Sequence, residues 1–193
     1  MINSRHTNVP GWESPAEQQL LYTLAQGVPD YGCIVELGAE YGLSASLFCW
    51  GAKASVQIVS IDLFPGDLLA QHQENLRRAG LGGRSMQMIG NSHTIGARWQ
   101  GHEPFIDLLF VDGDHSYQGV VADIALWTPL VRAGGVVAFH DCACETNPLP
   151  MPIVHEEVWR AVQEWHAVHP AWTQIGMVDS LVAYMRLLFY DTR

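Results

Sequence analysis

Residues 105–142, FIDLLFVDGDHSYQGVVADIALWTPLVRAGGVVAFHDC, contain two apolar runs of strand length, 108–111 and 136–139. Each run is followed by ionisable residues: Asp112, Asp114 and His115 after the first, His140 and Asp141 after the second. Between them Val120, Ile124, Trp127 and Val131 recur about one helical turn apart, closed by Gly134 and Gly135. Strand, helix and strand with so long a connection make a βαβ unit, whose two strands run parallel and end at one edge. Ligands of open α/β sheets bind beyond the carboxyl ends of the strands. Asp112, His115, His140 and Asp141 should therefore meet at one edge, the expected active site.

The same alternation extends upstream. Residues 33–37 (CIVEL) form a short buried strand, 38–42 a glycine turn, and 43–50 a helix. A second strand at 56–61 is closed by Asp62, and Pro65-Gly66 breaks the chain before a helix over 67–79 with Leu68, Leu69, His72 and Leu76 inward. Residues 85–89 make a third strand that ends at Asn91-Ser92, and a short helix runs on toward Trp99. Nearer the N-terminus, Ser14-Pro15-Ala16-Glu17 is a helix start: Ser as cap, Pro first, Glu three residues on. Leu20, Leu21, Leu24 and Ala25 give that helix an apolar stripe, and Gly27 and Pro29 end it.

Downstream, three prolines at 148, 150 and 152 forbid regular structure, so 145–152 is expected to be a lid, a substrate loop or a plain connector. Residues 147–153, the first helix and the loop at Met177, Val178 and Asp179 are the segments expected to shape a substrate pocket. Val154, Val158, Ala161, Trp165 and Val168 mark an amphipathic helix ended by Pro170. Strands at 172–175 and 181–188 are joined by 176–180, a link short enough to require an antiparallel hairpin. The expectation is one α/β domain over residues 1–193, with 1–30 as an N-terminal helical extension.

The 193 residues carry ten basic and twenty acidic side chains, a formal charge of −10. Such a surface repels phosphate backbones, which argues against a nucleic-acid partner. No apolar run approaches the roughly 18–20 residues that span a bilayer, so no membrane partner is expected. The N-terminus lacks the basic-then-apolar layout of a secretion signal. Cys33, Cys49, Cys142 and Cys144 do not form a disulfide framework, and the pair at 142 and 144 lacks the usual spacing of zinc ligands. A cytoplasmic protein with reduced thiols is expected. Trp and Leu residues on the first or sixth helix leave a homo-oligomer open.

Glycine in the 38–42 turn permits close approach of a ligand, and the helix start after it offers free N–H groups to an anion. The spacing, Gly38-xxx-Gly42, lacks the second glycine of the dinucleotide fingerprint. Glu36, an acid on a buried strand, needs a partner. The ammonium group of S-adenosylmethionine would serve, and Asp62 is placed to accept ribose hydroxyls. For both acids, capping of loops is the structural alternative.

VELGAEYGLSAS, SIDLF and LLFVDGDHSYQGVVADIALWTPLVRAGGVVAFHD together resemble the class I S-adenosylmethionine-dependent methyltransferases. The small branch that includes cephalosporin-pathway and macrolide-sugar O-methyltransferases is the most similar, and catechol O-methyltransferase is more distant. The resemblance covers residues 34–141. It implies a Rossmann-like, doubly wound seven-stranded sheet, mostly parallel with an antiparallel last strand, which the terminal hairpin matches independently. It also implies that Glu36, Gly38, Ala39, Gly42 and Ser44 hold the methionine portion and Asp62 the ribose. Asn91 and Ser92 would lie near the adenine or its ribose, although many relatives have an acid at the Asn91 position.

Metal-dependent relatives bind a divalent ion, such as magnesium or manganese, at positions matching Asp112, His140 and Asp141. Histidine at 140 departs from their acid-acid or acid-amide pair. Either it ligates an ion softer than magnesium, or it turns aside and leaves Asp112 and Asp141 with water. The alternative to a metal is that these carboxylates only cap strand ends. His115 lies where several of these relatives carry a general base, and a histidine that titrates near neutrality would take a hydroxyl proton. Its plainer role is a helix-start residue bonded to Asp114. The implied reaction is methyl transfer to a hydroxyl of a small-molecule substrate, with Asp112 and His115 catalytic. Rival expectations are a cofactor-binding protein without catalysis and a nicotinamide-dependent oxidoreductase. A hydrolase is disfavoured because no G-x-S-x-G elbow appears.

Overall fold

Ser14 and Glu17 open the first helix, α1 (Pro15–Gln26), with a reciprocal capping box. The Glu17 amide donates to Ser14 Oγ (3.2 Å), and the Ser14 amide donates to Glu17 Oε2 (2.7 Å). This computed structural model describes residues 9–99, 105–142 and 155–188. Cys144, the 145–153 segment and Val154 lie outside the described residues. After α1 the chain alternates: β1 (Cys33–Leu37), α2 (Leu43–Gly51), β2 (Gln57–Asp62), α3 (Leu68–Arg78), β3 (Met86–Ile89), α4 (Ser92–Trp99), β4 (Ile106–Val111) and α5 (Tyr117–Trp127). It ends with β5 (Val131–Phe139), α6 (Glu156–Val168), β6 (Trp172–Val178) and β7 (Leu181–Arg186).

The seven strands form one sheet in the order β3-β2-β1-β4-β5-β7-β6. β1 to β5 pair in parallel, and β7 lies antiparallel to both β5 and β6. The expected Rossmann-like, doubly wound sheet with an antiparallel last strand is therefore present. Period-two alternation sends Val35 and Leu37 of β1 and Leu109 and Val111 of β4 to one face, under α5 and α6. Ile34, Leu108 and Phe110 go to the other, under α1 and α2. Each fully buried side chain of this kind contributes about 1.5–3 kcal/mol.

Several expectations shift. Val131 is not the last helical contact of α5 but the first residue of β5; a 3-10 turn, Thr128–Leu130, intervenes. Gly134 and Gly135 lie inside β5, in a bulge where partner register passes from Ile106↔Val131 to Leu108↔Val136. A glycine pair suits a bulge as well as a helix end, so the sequence did not separate the two. Leu68 and Leu69 are only half-buried in α3, where His72 and Leu76 carry the packing. Val168 is 71% exposed, beyond the last turn that α6 packs on the sheet. The final hairpin turns at Asp179 and Ser180, because β6 runs on through a bulge to Val178. On α1 and α6, Leu20, Leu24 and Trp159 pack against the core and Trp165 is buried, so neither helix presents an exposed Trp or Leu for a dimer contact. Among the described residues, no helix is long and apolar enough to cross a membrane.

Candidate active site

Sheet order reverses between β1 and β4, the switch point at which α/β sheets open a crevice. Register does the rest. Leu37 pairs with Val111 and Val111 with Phe139, so the next residues on three adjacent strands are Gly38, Asp112 and His140. The Asp112 amide donates to the Leu37 carbonyl (2.8 Å), and the His140 amide to the Val111 carbonyl (3.1 Å). A cavity of about 480 Å³ opens there. It is lined by Gly38, Ala39, Ser44, Asp62, Asn91, Ser92, Asp112, His115, His140 and Asp141, ten of the residues singled out in the sequence. Glu36 and Gly42 are not on its wall.

One half of the cavity is built on the glycine turn. Gly38 has φ +83, and a Cβ there would lie 1.9 Å from the Asp112 carbonyl oxygen. This glycine is required by the neighbouring strand tip, whatever a ligand requires. Asp62 Oδ2 accepts from the Ala39 and Glu40 amides (2.9 and 3.0 Å), and its Oδ1 accepts from the Phe64 amide (2.8 Å). The capping role weighed for Asp62 is thus present while it faces the cavity. Gly42, at φ +93, is the N-cap of α2 and offers no side-chain cap, leaving the first N–H groups of that helix open toward an anion. Glu36 lies behind this wall, fully buried. Its carboxyl accepts from Ser44 Oγ (2.6 Å) and from Ser60 Oγ, and burial pushes it up to about 8. Asn91 Oδ1 accepts from the His93 and Thr94 amides (3.0 and 3.2 Å), capping the start of α4.

The other half is a cluster of acids and histidines. His140 is 4% exposed; its Nδ1 lies 3.3 Å from Asp112 Oδ1 and 3.6 Å from Asp141 Oδ1, and its Nε2 lies 3.4 Å from Glu17 Oε2. Both ring nitrogens sit at ion-pair distance, without hydrogen-bond geometry. His115 Nε2 is 3.0 Å from Asp141 Oδ2 and 3.5 Å from Asp112 Oδ1, and its ring stacks on His155 at 4.5 Å. Asp114 also lines the cavity, but its Oδ1 accepts from the Ser116 amide (2.8 Å), while His115 faces the other two acids. Asp141 holds this position at φ +55, an uncommon conformation for a residue with a side chain.

Charge follows from these distances. Hydrogen bonding to Asp112, then to Asp141, pushes the His115 imidazole up to about 10, so the ring is a cation here and does not titrate near neutrality. Burial opposes charge on His140, Asp141 and Glu17 alike, yet mutual attraction prevails. His140 is raised above the ordinary histidine range, Asp141 is held well below the carboxylate range, and Glu17 falls to about 2. Asp112, His140 and Asp141 each bring one donor atom within 4.8 Å of the others. A buried, hydrogen-bond-free Nδ1 beside two carboxylates fits a divalent ion that accepts nitrogen and oxygen. His115, Asp141 and His155 converge within the same limit.

The first helix was expected to help shape the site; the residues that line the cavity lie just ahead of it, and these the sequence reading missed. Pro10, Gly11, Trp12 and Glu13 line the cavity. The Trp12 indole donates to Glu40 Oε2 (3.1 Å). Glu13 is 9% exposed, and burial together with the charge of Asp112 pushes it up to about 7. Met177, Val178 and Asp179, considered as substrate-shaping, stay off the cavity; their turn braces α1 instead, with Ser14 Oγ donating to Asp179 Oδ2 (2.5 Å). The capping box made Glu17 visible as a helix residue, but nothing local links it to His140.

A family model described as a methyltransferase domain matches residues 35–142. An uncharacterized protein of Sinorhizobium fredii, y4gI, is 27% identical over 154 residues, 72% of this chain; the chain spans only 15% of that relative. Among solved structures, an O-methyltransferase from Bacillus cereus in complex with SAH superposes with a TM-score of 0.72 at 19% identity, covering 96% of this chain and 92% of that one. The O-methyltransferase TomG from Streptomyces achromogenes, involved in tomaymycin synthesis and in complex with SAM, gives 0.73 at 21% identity, covering 91% and 82%. At these identities the structures share the fold. The family match runs from within β1 to just past the end of β5, more than half of the sequence, and the chain belongs to the methyltransferase-domain family.

Proposed function

We propose that this chain, acting as one domain over residues 1–193, transfers the methyl group of S-adenosylmethionine to a hydroxyl of a small molecule, assisted by a divalent ion. The supporting observation is the meeting of two unlike halves on one cavity. A glycine turn with open helix N–H groups faces Asp112, His115, His140 and Asp141 across it. The open N–H groups suit the methionine carboxylate, Asp62 the ribose, and Asn91 and Ser92 the adenine end. Glu36 would reach the ammonium group only through the Ser44 side of the wall.

Asp112, His140 and Asp141 are the residues that would hold the ion. When bound, it would polarise the acceptor hydroxyl and answer the charge of the two carboxylates. His115, relieved of those carboxylates, would return toward neutrality and become the group placed to receive the hydroxyl proton. The new carbon–oxygen bond forms as the carbon–sulfur bond breaks; sulfur keeps the electron pair and His115 the proton. Holding the acceptor oxygen in line with the methyl group is the task of the cavity walls.

Calorimetric titration with S-adenosylhomocysteine and, separately, NADH tests the cofactor: binding of the first alone is expected, and binding of NADH alone would overturn the reading. For the reaction, His115→Ala and Asp112→Asn should each abolish methyl transfer to a panel of small hydroxyl compounds while S-adenosylhomocysteine still binds. Undiminished transfer in both variants would remove the mechanism.

A further inference from the structure

His140 is the departure from the pattern of metal-dependent relatives, and the structure supplies it with a partner on the side away from the cavity. Glu17 is 3% exposed, and four groups fix its carboxylate. Oε1 accepts from the Ser180 amide (2.8 Å) and from Ser180 Oγ (2.6 Å); Oε2 accepts from the Ser14 amide (2.7 Å) and faces His140 Nε2 at 3.4 Å. The ring of His140 is thereby held between two anionic walls, Glu17 behind Nε2 and the Asp112–Asp141 pair before Nδ1. We infer that Glu17 is a positioning residue: it retains the proton on Nε2 of His140, so that Nδ1 alone is presented as a ligand between Asp112 and Asp141. A carboxylate behind a ligating imidazole fixes its tautomer and orientation and raises its basicity. A site with such a nitrogen ligand favours manganese, iron, cobalt or zinc over magnesium. This inference rests on the metal-assisted reading above.

Glu17 also caps α1 and braces the last hairpin, so a purely structural role must be separated from action through His140. Manganese affinity, measured by electron paramagnetic resonance on the full chain without other substrates, makes the separation. Glu17→Gln keeps a capping-box side chain but loses one of the two acceptor oxygens, and it should weaken manganese binding by about 10- to 100-fold. Ser14→Ala breaks the cap without touching His140; it should lower thermal stability and leave manganese affinity within about threefold. In a His140→Asn background, Glu17→Gln should weaken manganese binding no further. An undiminished affinity in Glu17→Gln, or an equal further loss in the His140→Asn background, overturns the inference.

A measurement on the wild-type chain covers the case in which the Glu17 variant does not fold. With zinc bound as a diamagnetic probe, nitrogen-15 spectra of labelled histidine should show His140 protonated at Nε2 and ligated at Nδ1. Ligation at Nε2 overturns the inference with the metal site intact. A wild-type chain that binds neither manganese, magnesium nor zinc removes the metal reading itself, and this inference with it.

Discussion

The two halves of the cavity are both rich in acids, but they spend them differently. On the glycine-turn side, Asp62 accepts from three backbone amides and Glu36 from two serine hydroxyls. Those acids hold the loop in shape with uncharged donors. On the strand-tip side, Asp112 and Asp141 face histidines, and those histidines face acids in turn. A carboxylate satisfied by backbone belongs to the framework. One satisfied only by a titratable ring can exchange that ring for another cation, which is what a reacting centre needs.

This difference is sharpest in catalysis. His115 is 38% exposed, so solvent screens its pairs with Asp112 and Asp141, and His115→Ala should cost about 1 kcal/mol or less of stability while lowering turnover by about 100- to 10,000-fold. Steady-state rates beside a thermal melt check both halves of that statement; a matching loss of stability would return His115 to the framework. Gly38→Ala should act in the opposite way. A methyl group within bonding distance of the Asp112 carbonyl, at positive φ, should remove about 4 kcal/mol or more of stability, read from urea unfolding.

The third test is pH. The Glu36 carboxyl, raised by burial from 4.5 to about 8, favours the fold when protonated. Its contribution is full below the unfolded value and is lost as pH rises through about 8. Glu36→Gln cannot ionise, so its stability relative to wild type should improve between pH 4.5 and 8 by roughly 2–4 kcal/mol. A pH-independent difference would mean that Ser44 and Ser60 already carry the charge. The smallest effect belongs to Asn91→Ala, which removes the cap of α4 and should cost about 1 kcal/mol in a melt.

The framework was legible where local chemistry determines it. CIVEL followed by glycine reads as a buried strand and is β1 to the residue, because length, branching and the following turn agree. The meeting of Asp112 with His140 was legible too, since it follows from the parallel pairing of two apolar runs. What stayed hidden depends on contacts between distant segments. The protonation of His115 is set by carboxylates from two different strands. His155 reaches the cluster from the start of α6, and neither its type nor its spacing announces it. Glu17 carried the signature of a helix start, which explained it fully without the site, and Glu13, just ahead of the cap, carried no signal of its own. Val131 was misplaced for a related reason: a valine one turn past Trp127 satisfies a helical pattern, and only β-pairing with Ile106 claims it for the sheet.

The fastenings between the first helix and the last hairpin span most of the sequence: Glu17 meets Ser180 across 163 positions, and Ser14 meets Asp179 across 165. Contacts so remote form only after long loops have closed, and on a ribosome they must wait until β7 has emerged. The sheet's parallel body can therefore assemble while the back wall of His140 is still missing. Any affinity for the proposed ion should lag behind secondary structure during refolding, arriving only when α1 and the last hairpin have clasped.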